Sequence, residues 1–449
     1  MTDFQPVVDT SLRPPHFAAG SGLRRLAVVF ALALAVRVGL CFAYDLASDK
    51  PVGDASEYVT IAVQLVSTQS YSIIHPGFVG APTARRSPLF PLLLAACFAL
   101  FGNGRTVPIL LLCLLGAGTC TLVSALARRL FEERTAWAAG LAAALYPGMW
   151  ITSTGLMTET LFVFLLVALV CLADRIADEN LAASLRPSIA AGACAGLLTL
   201  TRAEGMLVGS LLILWIAIST SGAKRRRSVV LAAGAAALVV APWVVRNYIT
   251  FGALIPGSTV GGWVLAGANN PDVYYDEGRT GGWTAEFGKM PQYADCAKFP
   301  PAQEPAYSAC LTRAAIGYAI DNKARWPELA LWRLRRALDM WDPRISAFLE
   351  TMEGRRPQFT LAAAWTFYPV LIAALLGAIS FAPDIRRLSW LYAIPAFYLF
   401  QIAMTWGIQR LRAPMEPFLL LLASGLVVSI LGRKAARTAT AKSSPEIAP

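Results

Sequence analysis

Ten long apolar runs constrain this chain more than any other feature. They lie at 26–44, 106–127, 136–152, 159–174, 187–201, 205–220, 228–246, 361–381, 389–406 and 413–431. Runs approaching twenty residues match a hydrocarbon core about 30 Å thick. Charged residues make up only 15% of the 449 residues, against roughly 25% in soluble domains. A soluble chain of this length would divide into two or three domains; these runs argue for one membrane domain.

Basic clusters orient the runs. Arg24/Arg25, Arg128/Arg129, Lys224 to Arg227, Arg386/Arg387 and Arg433/Lys434 flank apolar segments. All fall on the cytoplasmic side, as positive-inside bias demands, if ten runs span and both termini are inside. The net charge of +11 is accounted for by that pattern, which argues against nucleic-acid binding. One run is left out. Pro88 to Phe101 has two prolines and 14 residues, about 21 Å of helix, and is read as dipping into the outer leaflet. Arg24 and Arg25 before Leu26–Tyr44 could open a signal peptide. The run is long for one and no small-x-small site follows, so it reads as an uncleaved first span.

The expected organisation is a cytoplasmic tail (1–25), a transmembrane module (26–246) with a first outer loop (45–105), an extracytoplasmic loop (247–360), C-terminal transmembrane helices (361–431) and a cytoplasmic tail (432–449). The inner loops are short and basic. They hold no phosphate loop and no dinucleotide fingerprint, so the chemistry belongs outside, on a substrate delivered in the membrane. In the long loop, Pro305 to Trp341 reads as helical, and Trp326, Leu329, Leu331, Trp332, Leu338 and Trp341 alternate with Arg325, Arg333, Arg335 and Arg336, which suits a lipid interface.

Only two histidines occur, His16 and His75, which nearly excludes histidine metal clusters and Ser-His-Asp triads. Six of eight cysteines lie in or beside apolar runs and read as buried hydrophobes. Cys296 and Cys310 share the long polar loop, where a disulfide fits an oxidising compartment.

The carboxylates and arginines at the outer ends of spans are the candidates for chemistry. Asp54 and Glu57 share a helix face; they form either an N-cap with its capping-box partner or a carboxylate base at a cleft. Glu159 opens a span, either as part of a cap or as a functional acid. Arg37 sits about 10 Å below the end of its span, and either faces the bundle interior or snorkels outward. Arg85, Arg86, Arg202, Arg246, Arg410 and Arg412 stand at outer helix ends against the charge bias. Singly, each suits a helix C-terminus or a lipid headgroup; together they favour an anion site, because guanidinium grips phosphate bidentately.

The ordered set GDASEYVTIAVQL, ARRSPLFPLLLAACFALFG, LMTETLFVFLL, LTRAEG, APWVVRNYITFGALIP with GANNP, and RLRAPMEPFLLLLA resembles the GT-C membrane glycosyltransferases. Within them it resembles the branch of protein O-mannosyltransferases and lipid A aminoarabinose transferases. The resemblance covers most of residues 30–430. It implies an all-α polytopic bundle of about ten transmembrane helices with outer juxtamembrane helices and one long extracytoplasmic loop. It implies an active site in the first outer loop, a polyprenyl-phosphate sugar donor and an inverting transfer, at a bacterial plasma membrane. Asp54 falls at the first-loop catalytic acid, Glu57 accompanies it, and Glu159 falls at the second acidic position. Arg202 falls at a basic position near the donor phosphate. The aminoarabinose transferases carry an acidic-basic pair before the proline of the short helix, where this chain has Arg85, Arg86 and Ser87; acceptor handling is placed in doubt there. Oligosaccharyltransferases match less well, since their large soluble domain is missing and Met340-Trp341-Asp342 is a faint echo of their signature.

In the mechanism this implies, Asp54 takes the proton of an acceptor hydroxyl. Arg202, with Arg246 or Arg412, neutralises the departing lipid phosphate, and Arg86, Arg410 and Arg37 complete the phosphate-binding set. Glu57 and Glu159 position the acceptor or bind a divalent cation if one is used; no cofactor is required. The acceptor is a lipid, polysaccharide or protein. A transporter or glycolipid flippase is the competing reading, although no paired halves with broken helices are visible. A membrane scaffold working through 325–341 is a third.

Overall fold

The computed structural model describes residues 19–75, 78–177, 185–300, 303–385 and 387–443. Expectations resting on residues 1–18, Arg386 and residues 444–449 lie outside the described residues. The chain is a multi-pass membrane protein built almost wholly of helices. Helix α1 (Ala19–Ala43) leads to α2 (Gly53–Thr68), an antiparallel hairpin of β1 (Ser72–His75) and β2 (Phe78–Pro82), and α3 (Leu89–Phe101). Then come α4 (Thr106–Leu130), α5 (Glu133–Leu145), α6 (Pro147–Trp150), α7 (Glu159–Ala177), α8 (Arg186–Thr201), α9 (Glu204–Ser219) and α10 (Gly222–Phe251). A long excursion holds α11 (Gly261–Ala268), α12 (Pro271–Tyr275), α13 (Pro291–Ala294), α14 (Glu304–Asp321), α15 (Trp326–Ala337) and α16 (Pro343–Thr351). The chain closes with α17 (Pro357–Ser380), α18 (Ser389–Met404) and α19 (Glu416–Ser443).

Among the described residues six helices are long and apolar enough to cross a membrane: α1, α4, α7, α10, α17 and α19. Helices α3, α9 and α18 are shorter apolar helices. Each of the ten apolar runs falls on a helix, with two revisions. The run at 136–152 is broken. Tyr146 is extended at φ −68, ψ 123 ahead of Pro147, because proline disfavours the helical conformation in the residue before it. Helix α10 extends to Phe251, past the expected loop boundary at 246, with Pro242 inside it. The β hairpin was not expected; its four- and five-residue strands are too short to show alternation.

Helices α4, α7 and α19 form the interior, with Phe162, Cys113, Cys120, Leu166 and Phe418 fully enclosed. Lipid does not drive helices together as water does, so close approach of backbones matters more. Gly192 and Gly196 of α8 meet α10; a Cβ on Gly192 would fall inside the van der Waals shell of the Ala232 carbonyl oxygen.

The two ends of the bundle differ. At one end Arg25 and Arg128 both pair with Glu133, and Arg387 donates to the Leu130 carbonyl (3.0 Å). These are the basic residues that charge bias assigns to one side. The excursion 252–356 gathers at the other end. There Cys296 and Cys310 form a disulfide. Helix α15 departs from the simple interfacial pattern. Trp326 and Leu331 are exposed, but Arg333 and Arg336 turn inward. Arg333 donates to the Ala403 and Ala268 carbonyls, Arg336 to those of Thr280 and Gly278.

Replacing Gly192 by Val is expected to force α8 from α10. The cost is about 1–3 kcal/mol, the range for overpacking a filled core. A lowered thermal midpoint of the detergent-solubilised protein would register it, with Gly234→Val, which has open space, as the control.

Candidate active site

At the end opposite the Arg25 cluster lies a cavity of about 860 Å³. Its walls come from α2, β2 and the residues after it, the α8–α9 turn, α11, the start of α14, the α16–α17 turn and the segment after α18. Four guanidiniums line it, from Arg85, Arg86, Arg202 and Arg410, with five carboxylates, from Asp54, Glu57, Glu204, Glu304 and Glu353. Tyr58, Trp263, Trp283, Tyr307 and Trp406 supply aromatic walls.

Asp54 does not cap α2. The N-cap is Val52, and no side chain caps the helix from that position. The Asp54 carboxylate instead accepts from Arg86 Nη2 at 2.5 Å and faces Arg410 Nη1 at 2.9 Å. Its backbone N–H donates to Glu353 Oε2 (3.1 Å), a residue 299 positions away that does the capping. Gly53, at φ +55, makes room for it. A Cβ there would stand 2.5 Å from Glu353 Oε2 and 2.7 Å from the Met352 carbonyl oxygen. Burial pushes the Asp54 carboxyl up, but Arg86 and Arg410 outweigh it and hold it well below the usual carboxylate range.

Glu57, one turn on, receives Arg86 Nε at 2.6 Å and Arg85 Nε at 3.1 Å, so it too forms no capping box. Arg85 stacks 4.5 Å above the Trp263 ring, and Arg86 lies 5.2 Å from the Tyr58 ring. Burial raises the Tyr58 hydroxyl to about 12, so it remains a neutral hydroxyl at neutral pH. Behind the cavity Glu159 is 2% exposed. Its Oε1 accepts from Arg202 Nη1 (3.0 Å), while Arg410 Nη1 stands 4.0 Å away; Oε2 has no hydrogen-bond partner among the described residues. Arg202 also donates to Thr158 Oγ1 (3.1 Å) and to Glu204 Oε1 (2.5 Å). Arg410 Nη2 reaches Glu353 Oε1 at 3.3 Å. Among the described residues no three Asp, Glu, His or Cys side chains are grouped to hold a metal ion.

Residues 85–245 match the family described as dolichyl-phosphate-mannose-protein mannosyltransferase. That stretch is a little over a third of the chain and contains Arg85, Arg86, Glu159 and Arg202. Among solved structures, the oligosaccharyltransferase AglB of Archaeoglobus fulgidus, in complex with an inhibitory peptide and a dolichol-phosphate, superposes with a TM-score of 0.54 at 16% identity. The overlap covers 96% of this chain and 52% of that one. The apo form of the same enzyme gives 0.55 at 14% identity, over the same shares. ArnT from Cupriavidus metallidurans, bound to undecaprenyl phosphate, aligns at 17% identity over 96% of this chain and 82% of its own, with a TM-score of 0.43. This chain has the GT-C fold. It spans about half the length of AglB, the fold relative that the sequence reading placed second. No curated protein matches the sequence.

Within this GT-C bundle three expected phosphate ligands stand elsewhere. Arg37 is wholly buried among α1, α4 and α6, donating to the Ala33 and Met149 carbonyls (both 3.1 Å). Arg246 donates to the Thr83 and Tyr71 carbonyls and packs against the rings of Tyr71, Trp243 and Phe251, which holds the hairpin to α10. Arg412 is sealed in a second network, with Asp339 Oδ2 at 2.5 Å, Glu416 Oε1 at 2.8 Å and the Phe367 ring 3.8 Å away. Arg37 and Arg246 lie inside their helices and Arg412 in the short turn before α19, and all three turn toward protein carbonyls or acids instead of the cavity. Conversely Glu353, Glu304 and the tryptophans were missed. Glu304 accepts from Thr83 Oγ1 (2.7 Å), the Ala84 N–H (3.0 Å) and Thr259 Oγ1, fixing the segment after β2 that carries Arg85 and Arg86.

Arg412→Ala would strand Asp339 and Glu416 as buried carboxylates. A loss of about 3–5 kcal/mol is expected, the cost of breaking a buried pair. Size-exclusion profiles of the fluorescently tagged protein would show collapse of the monodisperse peak, and Arg412→Lys only partial recovery.

Proposed function

We propose that this chain is an inverting glycosyltransferase that takes a sugar from a polyprenyl-phosphate donor at the extracytoplasmic face of a bacterial plasma membrane. The observation that carries the reading is the convergence of Arg86, Arg202 and Arg410 with Asp54 at one membrane end of the bundle, in a cavity large enough for a sugar and its acceptor, with Glu159 behind it. Guanidiniums on rigid elements supply charge where a leaving phosphate develops it, in a site partly shielded from water. The matched family name and the dolichol-phosphate bound to AglB support a lipid-phosphate donor. The disulfide of Cys296 and Cys310 and the basic residues at the opposite end support the extracytoplasmic side.

Arg202 and Arg410 neutralise the departing polyprenyl phosphate. Arg86 orients Asp54. The acceptor hydroxyl attacks the anomeric carbon from the face opposite the phosphate, which inverts that centre. A polyprenyl phosphate is a competent leaving group, so no metal is needed; if a divalent cation takes part, Glu57 and Glu159 are the carboxylates that would hold it. The tryptophans offer flat apolar walls for the sugar rings.

Arg202→Gln is expected to weaken undecaprenyl-phosphate binding by about 10- to 100-fold, the size of a charge-assisted hydrogen bond. Cells lacking the chain should accumulate one polyprenyl-phosphate sugar, quantified by lipid mass spectrometry. Wild type should clear it, and Asp54→Asn should not. A deletion that changes no sugar-lipid removes this reading and favours a transporter.

A further inference from the structure

We propose that Glu353, at the far end of the long excursion, accepts the proton of the acceptor hydroxyl, with Asp54 as the ionised anchor beside it. The inference rests on the transfer reading given above. Glu353 sits in the turn after α16 and lines the same cavity as Asp54, Arg202 and Arg410. Its two oxygens are used differently. Oε2 accepts the Asp54 backbone N–H, which fixes the carboxylate against the start of α2. Among the described residues Oε1 pairs with Arg410 Nη2, at 3.3 Å. Asp54, in contrast, has one guanidinium on each oxygen, at 2.5 and 2.9 Å. A carboxylate gripped on both oxygens by cations is a weak proton acceptor, while one held by a backbone N–H and a longer ion pair keeps a lone pair to offer. The electrostatics agree with the geometry. Burial pushes the Glu353 carboxyl up, Arg410 draws it down, the Asp54 charge adds to the rise, and the net shift is upward. For Asp54 the net shift is downward.

The step balances within the site. The acceptor O–H proton passes to Glu353 Oε1 as the acceptor oxygen bonds to the anomeric carbon. The bond from that carbon to the phosphate oxygen breaks, and its electron pair leaves on polyprenyl phosphate beside Arg202 and Arg410. Water then takes the proton from Glu353.

Glu353→Gln separates this role from capping. The amide oxygen can still accept the Asp54 N–H, but the amide cannot take up the proton. Purified in lipid nanodiscs, Glu353→Gln should stay folded and still bind undecaprenyl phosphate, because Arg202 and Arg410 both remain and Asp54 still pairs with Arg410. In deletion cells it should leave the sugar-lipid at the deletion level, consistent with a loss of about 10²–10⁴ in rate for a missing general base. Glu353→Asp, which keeps a shorter base, should clear part of it. Clearance by Glu353→Gln equal to wild type overturns the proposal and leaves Glu353 a helix cap. Loss of undecaprenyl-phosphate binding together with transfer also overturns it, making Glu353 an organiser of the arginines. A deletion without any sugar-lipid change defeats the transfer reading itself, and this base with it, whereas accumulation in the deletion with clearance by Glu353→Gln defeats this inference alone.

Discussion

The cavity depends on one buried cation. Arg410 is 7% exposed and lies within 4.0 Å of three carboxylates, from Asp54, Glu159 and Glu353. A guanidinium taken out of water must be paired, and removing the partners of a buried charge costs about 3–5 kcal/mol. That requirement joins four distant parts of the chain: the start of α2, the start of α7, the α16–α17 turn and the segment before α19. Burial disfavours the charged form of Arg410, yet the surrounding acids raise its proton affinity further, so it stays cationic. The fold therefore presents a fixed charge where α2, α7 and the long excursion meet.

The second network, around Arg412, serves a different purpose two residues away. Asp339, Arg412, Glu416 and Tyr146 are all buried, and they tie the end of α15 to the first turn of α19 and to the α5–α6 break. The backbone reinforces it, since Glu350 accepts the Arg410 N–H (3.2 Å) and pairs with Arg355 (3.2 Å). Neighbouring arginines in one short turn thus face opposite ways, one into the cavity and one into the protein. Rigidity of this kind costs stability unless every group is matched, and at an active site it holds donors in place before substrate arrives.

These opposite orientations mark where sequence reasoning stops. The apolar runs revealed the helices because spanning lipid leaves a signal in every residue of the run. The Arg202–Glu159 pair was also within reach, since both lie at ends of consecutive spans on one side. A turn of three or four residues at a helix end carries no such periodicity, so Arg410 and Arg412 look equivalent in sequence. The Asp54–Glu57 spacing fits a capping box equally well, and only the arrival of Glu353 and Arg86 decides otherwise. Glu353 was invisible because its partners are 299 and 57 positions away. One trace existed: Gly53 directly before Asp54, a residue type that admits a positive φ and leaves room for something packed close against the backbone.

The charge balance of the cavity bears on what it can select. Each lining arginine is already matched by a carboxylate, and the five acids slightly outnumber the four cations. A simple phosphate headgroup that drew Arg202 or Arg410 to itself would take a guanidinium from Glu204 or from Asp54 and Glu353, and a buried carboxylate so deprived offsets the gain. A sugar phosphate differs, because its hydroxyls can donate to the carboxylates as its phosphate takes the guanidiniums. On the proposed reading, these ion pairs are ones a ligand must replace on both sides. Phospholipids whose headgroups carry the anion without hydroxyls beside it are then disfavoured by the same acids that hold the arginines in place.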